Sequence, residues 1–143
     1  MQARAALRTI RTIVVDDKPA VVDGIRRFFA TQAGVAVVAV ALNGRDAIDQ
    51  VAHDQPDLVV MDVHMPEISG LEAADILRRR FPELRIIMIS IEQGAELRRE
   101  CLRHGADRFL SKIGLHRTLL PEIRQLFPDQ VLPENCAGAA EPK

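Results

Sequence analysis

The chain has 143 residues, 19 lysines and arginines against 20 aspartates and glutamates, and a formal net charge of −1. That suits one ordinary domain and excludes a protein that coats nucleic acid through bulk positive charge. Cys101 and Cys136 form neither a CxxC pair nor a disulfide framework, no tryptophan or tyrosine is present to stack bases, and no apolar run approaches a bilayer span or a signal sequence. A cytoplasmic protein with an aliphatic core, no membrane and no direct nucleic-acid partner is expected.

Residues 1–11 read as a short N-terminal leader, and 12–15 is the first of five short, β-branched apolar runs. Residues 19–30 follow, with Val22, Ile25 and Phe29 at helical spacing. A second run spans 35–41, and 44–52 repeats the helical pattern with Ala47, Ile48 and Val51. Then come run 58–61, helix 71–80 with Ala74, Ile76 and Leu77, run 85–89, and helix 94–104 with Leu97, Cys101 and Leu102. The weaker run 108–110 and a helix over 115–127, with Leu119, Leu120, Ile123 and Leu126, complete the alternation. Pro121 falls inside that last helix, either bending it or marking its first turn. From 128 to 143 the composition shifts to proline, glycine, alanine and charge without period, which predicts a flexible C-terminal tail.

The runs are almost continuously apolar, as strands covered by helices on both faces must be. The expected fold over 12–127 is therefore α/β: a doubly wound five-stranded parallel sheet, order 2-1-3-4-5, with five helices, flavodoxin-like.

In such a sheet ligands bind beyond the carboxyl ends of the strands. Strand one ends in Val14-Val15-Asp16-Asp17, strand three in Val60-Met61-Asp62, strand four in Ile89-Ser90, and strand five in Leu110-Ser111-Lys112. The strand order brings three carboxylates, a hydroxyl and an ammonium to one edge. Clustered carboxylates repel unless a cation neutralises them, and all-oxygen donors suit Mg2+ or Mn2+ with room left for phosphoryl oxygens. A carboxylate beside a metal and a lysine can accept a phosphoryl group.

Each piece has a plainer reading when taken singly. Asp16-Asp17 ahead of Pro19 is a helix cap, Ser90 a turn residue, Phe109 core, Lys112 a solvated lysine and Cys101 a small buried residue. The run Arg78-Arg79-Arg80 is a solvated helix end complementing the helix dipole. His53, His104 and His116 lack ligand spacing and belong to the surface or to helix ends.

Together, however, the Asp16-Asp17 pair, the segment Met61-Asp62-Val63-His64-Met65-Pro66-Glu67-Ile68-Ser69-Gly70, Ser90, the Gly105-Ala106-Asp107 turn and Phe109 three before Lys112 resemble the receiver domain of two-component response regulators. The resemblance implies that Asp62 is the phosphoacceptor. Asp16, Asp17, Asp62 and the backbone carbonyl of His64 would hold the metal, and Ser90 and Lys112 would bind phosphoryl oxygens. Ser90 and Phe109 would form the switch. It further implies a sensor histidine kinase or a histidine phosphotransfer protein as donor. The output would be a downstream protein effector or a homodimer, reached through the face of the fourth helix, fifth strand and fifth helix. That face carries Arg98, Arg99, Arg103, Arg108 and Arg117. The domain is then no enzyme in the usual sense, although it promotes its own phosphorylation and slow dephosphorylation.

Three positions depart from the family pattern. Ile91 replaces a small residue after Ser90 and is expected to restrict access to Asp62. Ile113 replaces the proline after Lys112, where a cis peptide would now cost about 2.5–4 kcal/mol, and so shifts the expected seat of Lys112. His64 and Glu92 line the site and bear on the lifetime of the phosphorylated state. Two competing readings are a phosphorylation-independent adaptor and the receiver portion of a longer DNA-binding regulator. A phosphatase or mutase usually has an acid two residues past its nucleophile, where this chain has His64, and no GxGxxG follows the first strand.

Overall fold

A computed structural model describes residues 8–130. In chain order the elements are β1 (Ile10–Val15), α1 (Pro19–Ala30), β2 (Val35–Ala41), α2 (Gly44–Asp54), β3 (Leu58–Asp62), α3 (Gly70–Arg80), β4 (Arg85–Ser90), α4 (Ala95–Arg103), β5 (Arg108–Ser111) and α5 (Leu115–Leu126). All strand pairs are parallel, in the order β2-β1-β3-β4-β5. The expected architecture is the observed one.

Because side chains alternate along a strand, each strand feeds two cores. Val59 and Met61 of β3 join Ile13, Val15, Ile86 and Met88 under α2, α3 and α4, packed on Ala47, Val51, Ala73, Ala74, Leu77 and Cys101. Leu58 and Val60 join Val14, Ile87 and Ile89 on the opposite face, packed on Phe29 of α1 and on Leu115, Leu119, Ile123 and Leu126 of α5. Each aliphatic side chain so buried is worth about 2 kcal/mol.

Boundaries moved by one or two residues, for local reasons. β1 starts at Ile10, inside the expected leader: the Ile10 N–H donates to the Gly34 carbonyl at 2.8 Å, and the Arg11 N–H donates to Asp57 Oδ2 at 2.8 Å. Arg11 also covers the carbonyls of Asp54 and Gln55 at the end of α2. Helix α3 begins at Gly70 because Ser69 and Glu72 form a reciprocal capping box. Pro121 is the seventh residue of α5 and not part of its first turn; its side chain is exposed, so the helical bond it lacks is on the solvent side. The expected tail and most of the leader, residues 131–143 and 1–7, lie outside the described residues.

The solvated-end reading of the arginine run holds for Arg79 and Arg80 but fails for Arg78. Its guanidinium donates to the carbonyls of Gly105, Pro82 and Leu84 and to Asp107 Oδ2. Asp107 also accepts from the Ile86 N–H at 2.8 Å and meets Arg85 at 3.2 Å. An arginine can satisfy so many loop carbonyls because its donors form a rigid fork. Cys101 is buried as expected, and burial, helped by neighbouring Glu100, pushes its thiol up to about 11. His104 caps the end of α4 between Asp75 (3.3 Å) and Glu100 (3.5 Å).

Candidate functional site

The carboxyl ends of β1, β3, β4 and β5 meet at one rim. Asp62 is the last residue of β3, in register with Ile89, and Ser90 ends β4 in register with Ser111 of β5. Asp16 follows β1, its N–H donating to the Ala41 carbonyl at 3.2 Å. Sheet register therefore dictates the spacing of these side chains more tightly than loops could.

Carboxylate oxygens of Asp16, Asp17 and Asp62 lie within 4.8 Å of one another. Lys112 Nζ sits 2.7 Å from Asp16 Oδ2 and 3.1 Å from Asp62 Oδ1. Asp16 is fully buried and Asp62 is 3% exposed. The 2.7 Å contact is an ion pair without hydrogen-bond geometry, which leaves Asp16 Oδ2 buried and lacking any hydrogen bond. Burial, then the charge of Asp16, raise the pKa of Asp62 above the ordinary carboxylate value, against the opposing pull of Lys112 and Lys18. Burial works against the charge on Lys112, but Asp16 and Asp62 outweigh it and raise its pKa. Three carboxylates against one ammonium leave surplus negative charge at the rim, and a donor set that is all oxygen suits a hard divalent cation.

The helix-cap reading of the acidic pair fails on geometry. Lys18 caps α1 with no side-chain bond, while Asp16 Oδ1 accepts from the Lys18 N–H at 2.9 Å and so shapes the turn that carries both acids. Asp17 is partly exposed, with Lys18 Nζ at 3.4 Å.

Ser90 is buried, and its Oγ accepts from the Glu92 N–H at 3.0 Å. The Lys112 N–H donates to the Ser90 carbonyl at 2.9 Å, joining hydroxyl and ammonium through the backbone. His64 Nε2 and Glu92 Oε1 lie 3.2 Å apart, both side chains largely exposed. Phe109 is buried in the core under α4. Ile91 is 61% exposed and Ile113 68% exposed. No peptide bond among the described residues is cis, the Ile113 N–H donates to Ser111 Oγ, and Lys112 still reaches both acids without the proline.

Gly70 carries a constraint that the sequence reading treated only as part of a motif. A Cβ there would lie 2.1 Å from the Asp62 carbonyl oxygen and 2.9 Å from Val63 Cα. The Gly70 N–H donates to the Val63 carbonyl at 2.8 Å, so the start of α3 is pressed directly against the backbone of the central acid. The Ser69-x-x-Glu72 spacing was the visible signal for that helix start.

Fold and site together define a doubly wound α/β domain with an acid-and-lysine pocket at its carboxyl rim. The response regulator receiver domain model matches residues 12–124, and the chain belongs to that family, the receivers of two-component response regulators. A protein-glutamate methylesterase/protein-glutamine glutaminase from Thermotoga maritima is 33% identical over 124 residues, covering 85% of this chain and 35% of that protein. The transcriptional activator protein ExaE from Pseudomonas putida is 36% identical over 115 residues, covering 80% and 54%. Among solved structures, the response regulator domain of Thermotoga maritima CheB superposes with a TM-score of 0.79 at 32% identity, covering 85% of this chain and 98% of that one. A LuxR-family two-component response regulator from Aurantimonas superposes with a TM-score of 0.80 at 30% identity, covering 85% and 87%. The chain spans from 35% to 56% of the length of the curated relatives it matches. No helix among the described residues is long and apolar enough to cross a membrane.

Proposed function

We propose that this receiver domain is a phosphoacceptor switch in a two-component phosphorelay, acting in the cytoplasm. The observation that carries the reading is the convergence of Asp16, Asp17 and Asp62 within 4.8 Å, with Lys112 Nζ against two of them. An Asp62 oxygen attacks the phosphorus of a phosphohistidine on a sensor histidine kinase or phosphotransfer protein. The P–N bond breaks, its electron pair stays on the imidazole, and Asp62 carries an acyl phosphate. Lys112 and the Ser90 hydroxyl bind phosphoryl oxygens. Asp16, Asp17, Asp62 and the His64 carbonyl would hold Mg2+ or Mn2+, which supplies positive charge to the equatorial oxygens when bound. Slow dephosphorylation is the attack of water on phosphorus, which releases inorganic phosphate and restores the carboxylate.

The phosphoryl group adds about −1.5 to −2 charges. It draws Ser90 and Lys112 toward β3 and repacks α4, β5 and α5, the face that contacts a downstream protein or a second receiver. Catalysis beyond the domain's own phosphorylation, direct contact with nucleic acid and membrane association form no part of this role. A longer regulator containing this chain would join the switch to whatever its other segments do.

Incubation with acetyl phosphate and Mg2+, followed by intact-mass and peptide mass spectrometry, is expected to give one phosphoryl adduct on Asp62 that Asp62→Ala lacks. Absence of an adduct with acetyl phosphate and with phosphorylated kinase would overturn the proposal. A phosphorylation-independent adaptor is the second reading. Its support is the pair Ile91 and Ile113, which stand where the family commonly has a small residue and a proline.

A further inference from the structure

Between α4 and β5–α5 runs a shallow groove of about 360 Å³, lined by Phe109, Leu110, Ile113 and Thr118, with Arg98 on its α4 wall. Ile113 is 68% exposed. So open an apolar residue in the groove's lining leaves an anchor site for an apolar side chain of another molecule. The guanidinium of Arg117 folds back over Gly114, beside Ile113, where a glycine Cβ would meet it at 3.1 Å. Arg98 therefore lines the groove on its α4 side, and Arg117 stands beside Ile113 at the start of α5.

The acids of the two helices are mostly committed. Glu100 meets Arg103 at 2.5 Å and His104 at 3.5 Å, and Glu122 meets Arg108 at 2.7 Å. Glu96 is the only other acid on α4 or α5. Arg98, Arg99 and Arg117 are exposed and make no ion pair among the described residues. Two-fold pairing of this face with itself would set arginine against arginine with Glu96 alone to offset it, which disfavours a second copy. Nucleic acid would match the arginines but leave the apolar strip unfilled, with no exposed aromatic to stack a base.

The geometry points to an acidic amphipathic segment of a partner protein as the occupant: one or two apolar side chains in the groove, carboxylates against Arg98 and Arg117. This rests on the switch reading, because it names the chemistry of that output face. The groove touches the switch through Phe109 and Ser111, the residue before Lys112.

A display library of random amphipathic helical peptides, selected on the full chain with Mg2+ and acetyl phosphate, tests it. Recovered peptides should be enriched in Asp and Glu flanking Leu, Ile or Phe. The best should lose on the order of tenfold in affinity for an Arg98→Glu, Arg117→Glu variant and regain it when their acids become lysines. Peptides enriched in basic residues, or no enrichment, overturn the inference, as does binding unchanged by the charge reversal. Tighter binding of a labelled DNA duplex, or a dimer by sedimentation that Arg117→Glu abolishes, overturns it in favour of those occupants. An Asp62 adduct without acidic peptides defeats only this inference, whereas acidic peptides without an adduct defeat only the phosphoacceptor.

Discussion

Helices α3 and α4 both lie over the same sheet face, yet they are held in opposite ways. Helix α3 opens with a capping box, buries Gly70, Ala73, Ala74 and Leu77, and is locked at its far end by Arg78. Helix α4 has an N-cap, Gly94, with φ of 145° and no side-chain bond, and it buries Cys101 alone. The segment from Ile91 to Glu96 that leads into it is exposed throughout. The nucleophile candidate Asp62 thus sits beside the rigid helix, and Ser90 at the root of the loose one. Chemistry that needs a held nucleophile and a surface that must move are divided between two neighbouring helices.

The largest way to break this contrast is Gly70→Ala. A methyl group 2.1 Å from the Asp62 carbonyl cannot be accommodated without moving α3 or the end of β3. The expected cost is about 3 kcal/mol by denaturant unfolding, with loss of the Asp62 adduct. A variant of wild-type stability and full adduct yield would show that α3 does not brace the site.

Next in size is Arg78→Ala, which removes the side-chain donor to the Gly105 and Leu84 carbonyls and leaves Asp107 only the Ile86 N–H and Arg85. About 2 kcal/mol of stability should be lost, against less than about 0.5 for the exposed Arg79→Ala. Hydrogen exchange should show amides of α3 weakening toward those of α4, which are expected to open at lower free energy in the wild-type chain. Equal protection of the two helices in the unmodified protein would erase the comparison.

The smallest effect tests the electrostatics of the rigid half. Asp62 has a raised pKa in the folded chain, so the folded state holds its proton more tightly than the unfolded state does. Stability therefore falls as pH climbs from the ordinary carboxylate value of 3.8 through the raised value, and that cost persists above it. In chelator, Asp62→Asn should be more stable than wild type at neutral pH, a difference that fades on acidification through the same window. For Lys112, also raised, the stabilising contribution is full below 10.5 and is lost as pH rises through its folded value. A destabilised Asp62→Asn at neutral pH would mean that the Lys112 pair outweighs burial.

Much of the site was legible because its residues are tied to strand ends. Asp16, Asp62, Ser90 and Lys112 each follow or close an apolar run, and the order 2-1-3-4-5 then dictates that they meet. Arg78 was misread because nothing in Arg78-Arg79-Arg80 distinguishes the residue whose position on the helix turns it toward the Gly105 turn. The Ser69–Glu72 box was available as a spacing, but its consequence for Asp62 depended on a backbone approach at Gly70 that no spacing encodes.

By itself, the sequence determined the alternation of strands and helices, the double-faced burial of the sheet, and which residue types reach the carboxyl rim. Periodicity and strand-end position are local properties, and local properties survive in a string of letters. Only the tertiary structure decided that Lys112 spans Asp16 and Asp62 without the expected proline, that Arg78 is a lock, and that α3 is held while α4 is loose. Those outcomes depend on distances between segments far apart in the chain, which packing sets and composition does not record.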